Sequence, residues 1–132
     1  MNKTRPAKYD EIKGKIDPKK DVISVISCNT CTRLSNTGGE KKLRMLANRL
    51  RKDNFNVVDG FLITMPCVDT YIENVELHPS VNTLVMLACS CGCANAITHF
   101  PDKKIVPALQ DRGTEIIVDS KTNTKRWRVP KT

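Results

Sequence analysis

The sequence predicts an α/β protein built on a doubly wound, mostly parallel sheet. Three observations predict it. Short runs rich in β-branched residues alternate with stretches of helical apolar spacing, the pattern of a parallel sheet with helices on its faces. Three of those runs lead into a cysteine. The length, 132 residues, suits one domain with its own core, since domains commonly run to about 100–150 residues.

The elements follow in order. Asp21-Val-Ile-Ser-Val-Ile-Ser27 is rich in β-branched residues and too short for a typical helix, so it reads as a buried strand running into Cys28. A polar loop follows and ends in Asn36-Thr-Gly-Gly-Glu40. From Glu40 to Asp53, Leu43, Leu46, Ala47 and Leu50 fall at i, i+3, i+4, i+7 and mark one face of an amphipathic helix. The opposite face is basic (Lys41, Lys42, Arg44, Arg49, Arg51, Lys52) and reads as solvated surface. A second strand reads from about Phe55 to Thr64, with Asp59-Gly60 as a bulge or interruption and Pro66-Cys67 as its end. Val68, Tyr71, Ile72 and Val75 then repeat the helical spacing, so a short helix opens just after Cys67. After a His78-Pro79-Ser80 turn, Asn82-Thr-Leu-Val-Met-Leu-Ala88 is the clearest buried strand and delivers Cys89. The stretch from about Cys93 to Phe100 reads as a helix, and Lys104–Ala108 as a short fourth strand that Pro107 helps to end. Glu115–Asp119 and Lys125–Val129 read as a terminal hairpin around Lys121-Thr-Asn-Thr124.

Strand, helix, strand, helix, strand, helix is the order of a flavodoxin- or Rossmann-like sheet. Its right-handed crossovers bring the carboxyl ends of all parallel strands to one edge, where ligand sites form at the topological switch point. Cys28, Cys67 and Cys89 then converge on that edge, which predicts a cysteine-lined site there.

Charge divides the chain into three parts. Residues 1–20 read as a basic N-terminal extension, 21–120 as a cysteine-rich α/β metal-binding domain, and 121–132 as a basic C-terminal tail. The net charge of +8 resembles a nucleic-acid signal, but the extension holds seven Lys/Arg against three acids and the tail five against none. The central 100 residues are close to neutral, so the positive charge reads as docking an acidic partner protein or keeping the domain soluble. No apolar run approaches the roughly 20 residues of a membrane span, and the first residues lack the apolar core of a secretory signal. A cytoplasmic location is the expectation. A reducing compartment favours metal binding or redox chemistry over a disulfide framework.

The six cysteines form three clusters: Cys28-Asn-Thr-Cys31, Cys67, and Cys89-Ser-Cys91-Gly-Cys93. Zinc and iron–sulfur clusters both take four thiolates. Cys28 and Cys31 can grip a centre from one loop, with Cys67 and Cys89 supplying the other two ligands. Cys91 and Cys93 are alternative ligands or bystanders on the same loop. Helix N-termini after Cys67 and in the 89–93 loop would favour the thiolate form. Gly38, Gly39 and Gly92 would let backbone N–H groups approach the sulfurs, or serve as ordinary turn residues. The spacing departs from the paired C-x-x-C units of a zinc ribbon. A thioredoxin-like dithiol at Cys28 and Cys31 would leave four cysteines unexplained. His78 and His99 read as incidental, the latter suiting a helix C-terminus. Asp69, Glu73 and Glu76 lie along one short helix without a nucleophile–base arrangement. Trp127 reads as an interface anchor or as packing on the sheet.

Several ordered segments carry a family resemblance: Cys28-x-x-Cys31, Thr37-Gly-Gly-Glu-Lys41, Pro66-Cys67-Val-Asp69, Leu87-Ala-Cys89, and Phe100-Pro-Asp-Lys103 followed by Val106-Pro-Ala-Leu109. Across roughly residues 8–110 the chain resembles the small cysteine-rich accessory subunit of bacterial methylenetetrahydrofolate reductases. The same module forms a C-terminal-type domain in some of those enzymes, notably in acetogens. The resemblance implies a 4Fe–4S cluster, or zinc, on Cys28, Cys31, Cys67 and Cys89. It also implies a flavoprotein reductase partner that performs the folate chemistry, so that this chain would not be catalytic alone. Two features depart from that pattern: the extra thiols Cys91 and Cys93, and the segment after Leu109. A structural zinc module for assembly, or a thiol–disulfide oxidoreductase using Cys28 and Cys31, are the rival expectations.

Overall fold

A computed structural model of the chain describes residues 2–116 together with 127–128. Its centre is a four-stranded parallel sheet made of β2 (Val22–Cys28), β3 (Asn56–Ile63), β4 (Thr83–Leu87) and β5 (Lys104–Pro107). In space the strands run β3-β2-β4-β5. The connection out of β2 turns to one side of the sheet and the connection out of β4 to the other, so the switch point lies between these two central strands.

Residue alternation explains why both faces of the sheet are covered. Ile23 and Val25 of β2, Val57 of β3 and Val85 and Leu87 of β4 point to one face. There they meet α1 (Tyr9–Gly14) through Ile12 and α3 (Glu40–Lys52) through Leu43, Leu46, Ala47 and Leu50. Ile26 and Cys28, Ile63, and Leu84 and Met86 point to the other face. They meet α4 (Asp69–Ile72) through Ile72 and α5 (Ser90–His99) through Cys93 and Ala96. Period-two strands and 3.6-period helices therefore produce two apolar cores, one on each side. Each fully buried Ile, Leu or Val contributes about 1.5–3 kcal/mol relative to exposure.

The main elements fall where the sequence places them, with instructive differences. The register of β2 on β3 slips between Ile23 and Ser24, leaving Val58 unpaired as a bulge next to the expected Asp59-Gly60 position. The helix expected from Cys93 begins at Ser90, so Cys91, Gly92 and Cys93 lie in its first turns and not in a loop. The helix after Cys67 spans only Asp69–Ile72, so Glu73 is its C-cap and Glu76 lies beyond it.

A second sheet, ordered β1-β6-β7, consists of β1 (Asn2–Pro6), β6 (Leu109–Ile116) and β7 (Trp127–Arg128), all antiparallel. The segment expected as a basic extension thus carries β1 and α1, and its Ile12 and Ile16 are buried. The strand expected from Glu115 starts at Leu109 and takes β1 as a partner as well as β7. Beyond the short β7 pairing, the hairpin and the 121–132 tail lie outside the described residues. Only Ala108 separates β5 from β6, and its carbonyl accepts from Ala7 N–H (2.9 Å). The β1–β6 ribbon therefore continues past the carboxyl edge of the parallel sheet and walls it on one side.

Candidate functional site

Three strand ends build the site. Cys28 closes β2, and the chain after it is laced to the chain after β3. Asn29 N–H donates to Ile63 O (2.8 Å) and the Thr30 hydroxyl to Thr64 O (2.6 Å). Cys28 Sγ lies 3.8 Å from the same Thr64 carbonyl and receives the Thr30 N–H at 3.4 Å. Cys31 opens α2 (Cys31–Leu34), a single turn whose Thr32 hydroxyl donates back to Cys28 O (2.6 Å).

The glycines expected to bring N–H groups to sulfur serve another purpose. Gly38 N–H donates to Thr32 O (3.0 Å) and Gly39 N–H to Ser27 Oγ (2.8 Å). A Cβ on Gly38 would stand 2.2 Å from Thr32 Oγ1 and 2.8 Å from Ser27 Oγ. Close approach of this loop to the strand end, with no contact to sulfur, requires glycine there.

The loop bearing Cys67 is clamped onto α5. Gly92 allows Pro66 to sit against the helix: a Cβ there would meet Pro66 Cγ at 3.2 Å and Ala88 Cβ at 3.0 Å. Asn95 Nδ2 donates to Pro66 O (2.9 Å), and His99 Nε2 lies 3.0 Å from Asp69 Oδ1. Hydrogen bonds from His99 and then Asn95 hold the Asp69 carboxyl below its usual range against a smaller effect of burial. His99, expected to be incidental, is thus one of the ties that hold the Cys67 loop against α5. The signal missed in the sequence was the spacing of Gly92, Asn95 and His99, which puts all three on one side of α5.

Cys89 ends the β4 run as the N-cap of α5, and its side chain is buried. Cys67 is exposed, yet its thiol is pushed up, first by partial burial and then by the negative charges of Cys89, Cys28 and Cys31. Cys28, Cys67 and Cys89 thus lie at or just beyond the carboxyl ends of three neighbouring parallel strands.

The other two cysteines separate from this set. Cys93 is buried in the α4/α5-side core, with its thiol 3.9 Å from Ala88 O. Burial, followed by the charges of Cys89 and Asp111, pushes its pKa up to about 12, so it stays a thiol at neutral pH. Cys91 lies two residues from Cys89, about 200° around the helix. It faces the ribbon, where Asn2 Nδ2 approaches its sulfur at 3.8 Å. The N-terminus of α5 is also occupied: Ser90 N–H donates to Asp111 Oδ1 (2.9 Å) and the Ser90 hydroxyl to the same carboxylate. A β6 side chain therefore satisfies amides expected to support the thiolates, while α4, at four residues, is too short to add a dipole of consequence.

All six cysteines are free thiols. Among the described residues no group of three or more Cys, His, Asp or Glu side chains is drawn tightly enough together to hold a metal ion. Among the described residues no helix is long and apolar enough to cross a membrane. The chain matches no protein-family model, no curated protein and no solved structure.

Proposed function

We propose that the parallel sheet is a flavodoxin-like scaffold whose carboxyl edge holds a 4Fe–4S cluster on Cys28, Cys31, Cys67 and Cys89. In this reading the chain serves as the electron-transfer accessory subunit of a cytoplasmic, methylenetetrahydrofolate-reductase-like complex. The observation that carries it is the topology, which puts Cys28 at the end of β2, Cys67 just beyond β3 and Cys89 just beyond β4, with Cys31 opening the turn after β2. The pathway rests on the ordered motifs from Cys28 to Leu109 that resemble the reductase accessory subunits.

A cluster is put ahead of zinc because, among the described residues, no three of the thiols are drawn together around one ion. A zinc ion needs all four sulfurs about 2.3 Å from one centre. A 4Fe–4S cluster takes one thiolate on each iron and so keeps its ligands further apart. When bound, such a cluster supplies one-electron transfer. The chain's own part is to hold sulfurs and exclude competitors. Thr30 N–H donates to Cys28 Sγ, the Pro66–Gly92 contact holds the Cys67 loop against α5, and Cys93 stays protonated in the core. Leu34, three residues after Cys31, and Tyr71, four after Cys67, are 59% and 44% exposed and offer apolar contact to a flavoprotein partner beside the thiols.

The test is anaerobic purification followed by iron, sulfide and zinc analysis. The expected protein is brown, with iron and sulfide in equal amounts and a paramagnetic signal after reduction. A colourless protein with stoichiometric zinc would replace the electron-transfer role by a structural one. Cys67→Ser should lose the iron while the thermal midpoint of the metal-free protein is little changed, because the residue is exposed. Cys93→Ser should do the reverse, keeping the iron and losing about 1–3 kcal/mol by leaving a buried hydroxyl poorly partnered. Iron lost equally in both variants would sink the ligand assignment.

A further inference from the structure

On the opposite face of the same edge lies a cleft of about 310 Å3, at the small end of the range for ligand sites. Its floor is apolar, formed by Ile12, Leu46, Leu87 and Leu109. Leu87 is the last residue of β4, and the cleft also reaches Thr37, on the chain leaving β2. The cleft therefore opens beside the switch point between β2 and β4, the place where open α/β sheets receive ligands. A hydrogen bond between the Thr4 and Thr37 hydroxyls (2.6 Å, buried) ties the ribbon to this loop at the cleft's edge.

The charged lining is of one sign. Lys42 and Arg49 stand on the α3 side, seven residues and about 10.5 Å apart along the helix, and no acid lines the cleft. Neither forms an ion pair among the described residues. The Arg49 guanidinium is held 3.6 Å above the Tyr9 ring, which pre-organises it at the mouth. Met45, between the two cations, is 54% exposed at the rim and leaves the apolar floor open.

We propose that this cleft binds a small organic anion with a ring-sized apolar body, its charge met by Lys42 or Arg49. The shape and lining require an apolar body, and the two lining cations select an acidic one over a neutral or basic one. Asp53, outside the lining but bonded to Tyr9 Oη (2.6 Å), offsets part of the Arg49 charge and leaves Lys42 the stronger anion contact. The site uses none of the thiols and stands independently of the cluster assignment.

The probe is 1-anilinonaphthalene-8-sulfonate titrated into the full chain by fluorescence, with N-phenyl-1-naphthylamine as the same ring system lacking the sulfonate. Saturable one-to-one binding is expected for the sulfonate, with the neutral analogue about tenfold weaker or worse. Lys42→Glu and Arg49→Gln should each weaken the sulfonate by about tenfold and leave the neutral analogue unchanged. Lys41→Glu, a neighbouring charge outside the lining, should leave both unchanged. Lys41→Glu and Lys42→Glu should unfold with the wild-type midpoint, and Arg49→Gln slightly below it for loss of the Tyr9 contact. Non-saturable binding, equal affinity for the two probes, or equal loss in Lys41→Glu and Lys42→Glu would overturn the proposal.

Discussion

The two ends of the parallel sheet treat their polar atoms in opposite ways. At the amino end nearly every group answers another. Asn82 Oδ1 accepts from Val22 N–H (2.9 Å) and its amide donates to Lys20 O (3.0 Å). Its backbone accepts from Lys104 N–H (2.9 Å) and donates to Val22 O (3.0 Å). Asp21 accepts from Asp17 N–H (2.8 Å) and pairs with the Lys104 ammonium. At the carboxyl end the backbone loops are equally well tied, but the sulfurs they carry have only long contacts of 3.4 Å to 3.9 Å. A saturated end fixes strand order. An end that positions its thiols firmly without consuming their bonding capacity keeps that capacity for a ligand.

The largest expected effect tests whether the carboxyl end is as rigid beneath its thiols as this contrast requires. Gly38→Ala would force a Cβ to 2.7 Å from Thr32 Cβ and 2.8 Å from Ser27 Oγ, both on buried residues. Overpacking of this kind costs about 1–3 kcal/mol, and the upper end is expected because neither neighbour has a free direction to move. Denaturant unfolding measures it. A loss below about 0.5 kcal/mol would show a pliant loop and remove the contrast in rigidity.

Asn82→Ala probes the other end. It removes two backbone-directed hydrogen bonds and one with the Thr83 hydroxyl (2.8 Å), for an expected loss of about 2 kcal/mol. Because the site is at the far end of the strands, the rate at which a disulfide reagent modifies Cys67 in the folded protein should not change. A faster rate would mean the two ends are coupled and the division between them is false.

A smaller effect comes from pH. Burial, the largest single influence on Asp21, opposes its ionisation, but donation from Lys104, Asp17 N–H and Thr83, with the Lys104 charge, outweighs it. The folded carboxyl therefore ionises below its ordinary range. Its stabilising contribution is complete above the unfolded value of about 3.9 and is lost as pH falls through the lower folded value. The stability gap between wild type and Asp21→Asn should be constant near neutrality and close only in acid. A gap that narrows already between about pH 7 and about pH 5 would point to another group.

The difference between the ends also decides what the sequence could reveal. Strand runs such as 21–27 and 82–88 were legible because their β-branched and apolar residues are buried on both sides, whatever lies around them. The positions of Cys28, Cys67 and Cys89 at one edge followed from topology alone. What escaped was set by distant partners. Asn2–Pro6 is too polar to read as a strand, and it becomes one because Leu109–Ile116, over 100 residues later, supplies the hydrogen bonds. Likewise Ser90 starts α5 because Asp111 of that same ribbon caps it, so Cys91 and Cys93 entered a helix that local spacing began later. The helical settings of Cys91 and Cys93 rest on this non-local contact.

The smallest expected change in stability belongs to Gly92→Ala, and it separates holding a thiol from holding the fold. Replacing a helical glycine by alanine gains up to about 1 kcal/mol in propensity. Against it stands a Cβ at 3.0 Å from Ala88 Cβ and 3.2 Å from Pro66 Cγ, a misfit of a few tenths of an ångström against ordinary contact. The two nearly cancel, so the thermal midpoint of the metal-free protein should hardly move. The neighbour free to yield is the Pro66 loop, since Ala88 is held in the core beside β4. Its retreat carries Cys67 away from Cys89. On the cluster assignment, iron retained per chain after anaerobic gel filtration should drop severalfold, while Cys93, on the sheet side of the helix, stays buried. Full iron retention at an unchanged midpoint would mean that the Pro66–Gly92 contact does not place Cys67.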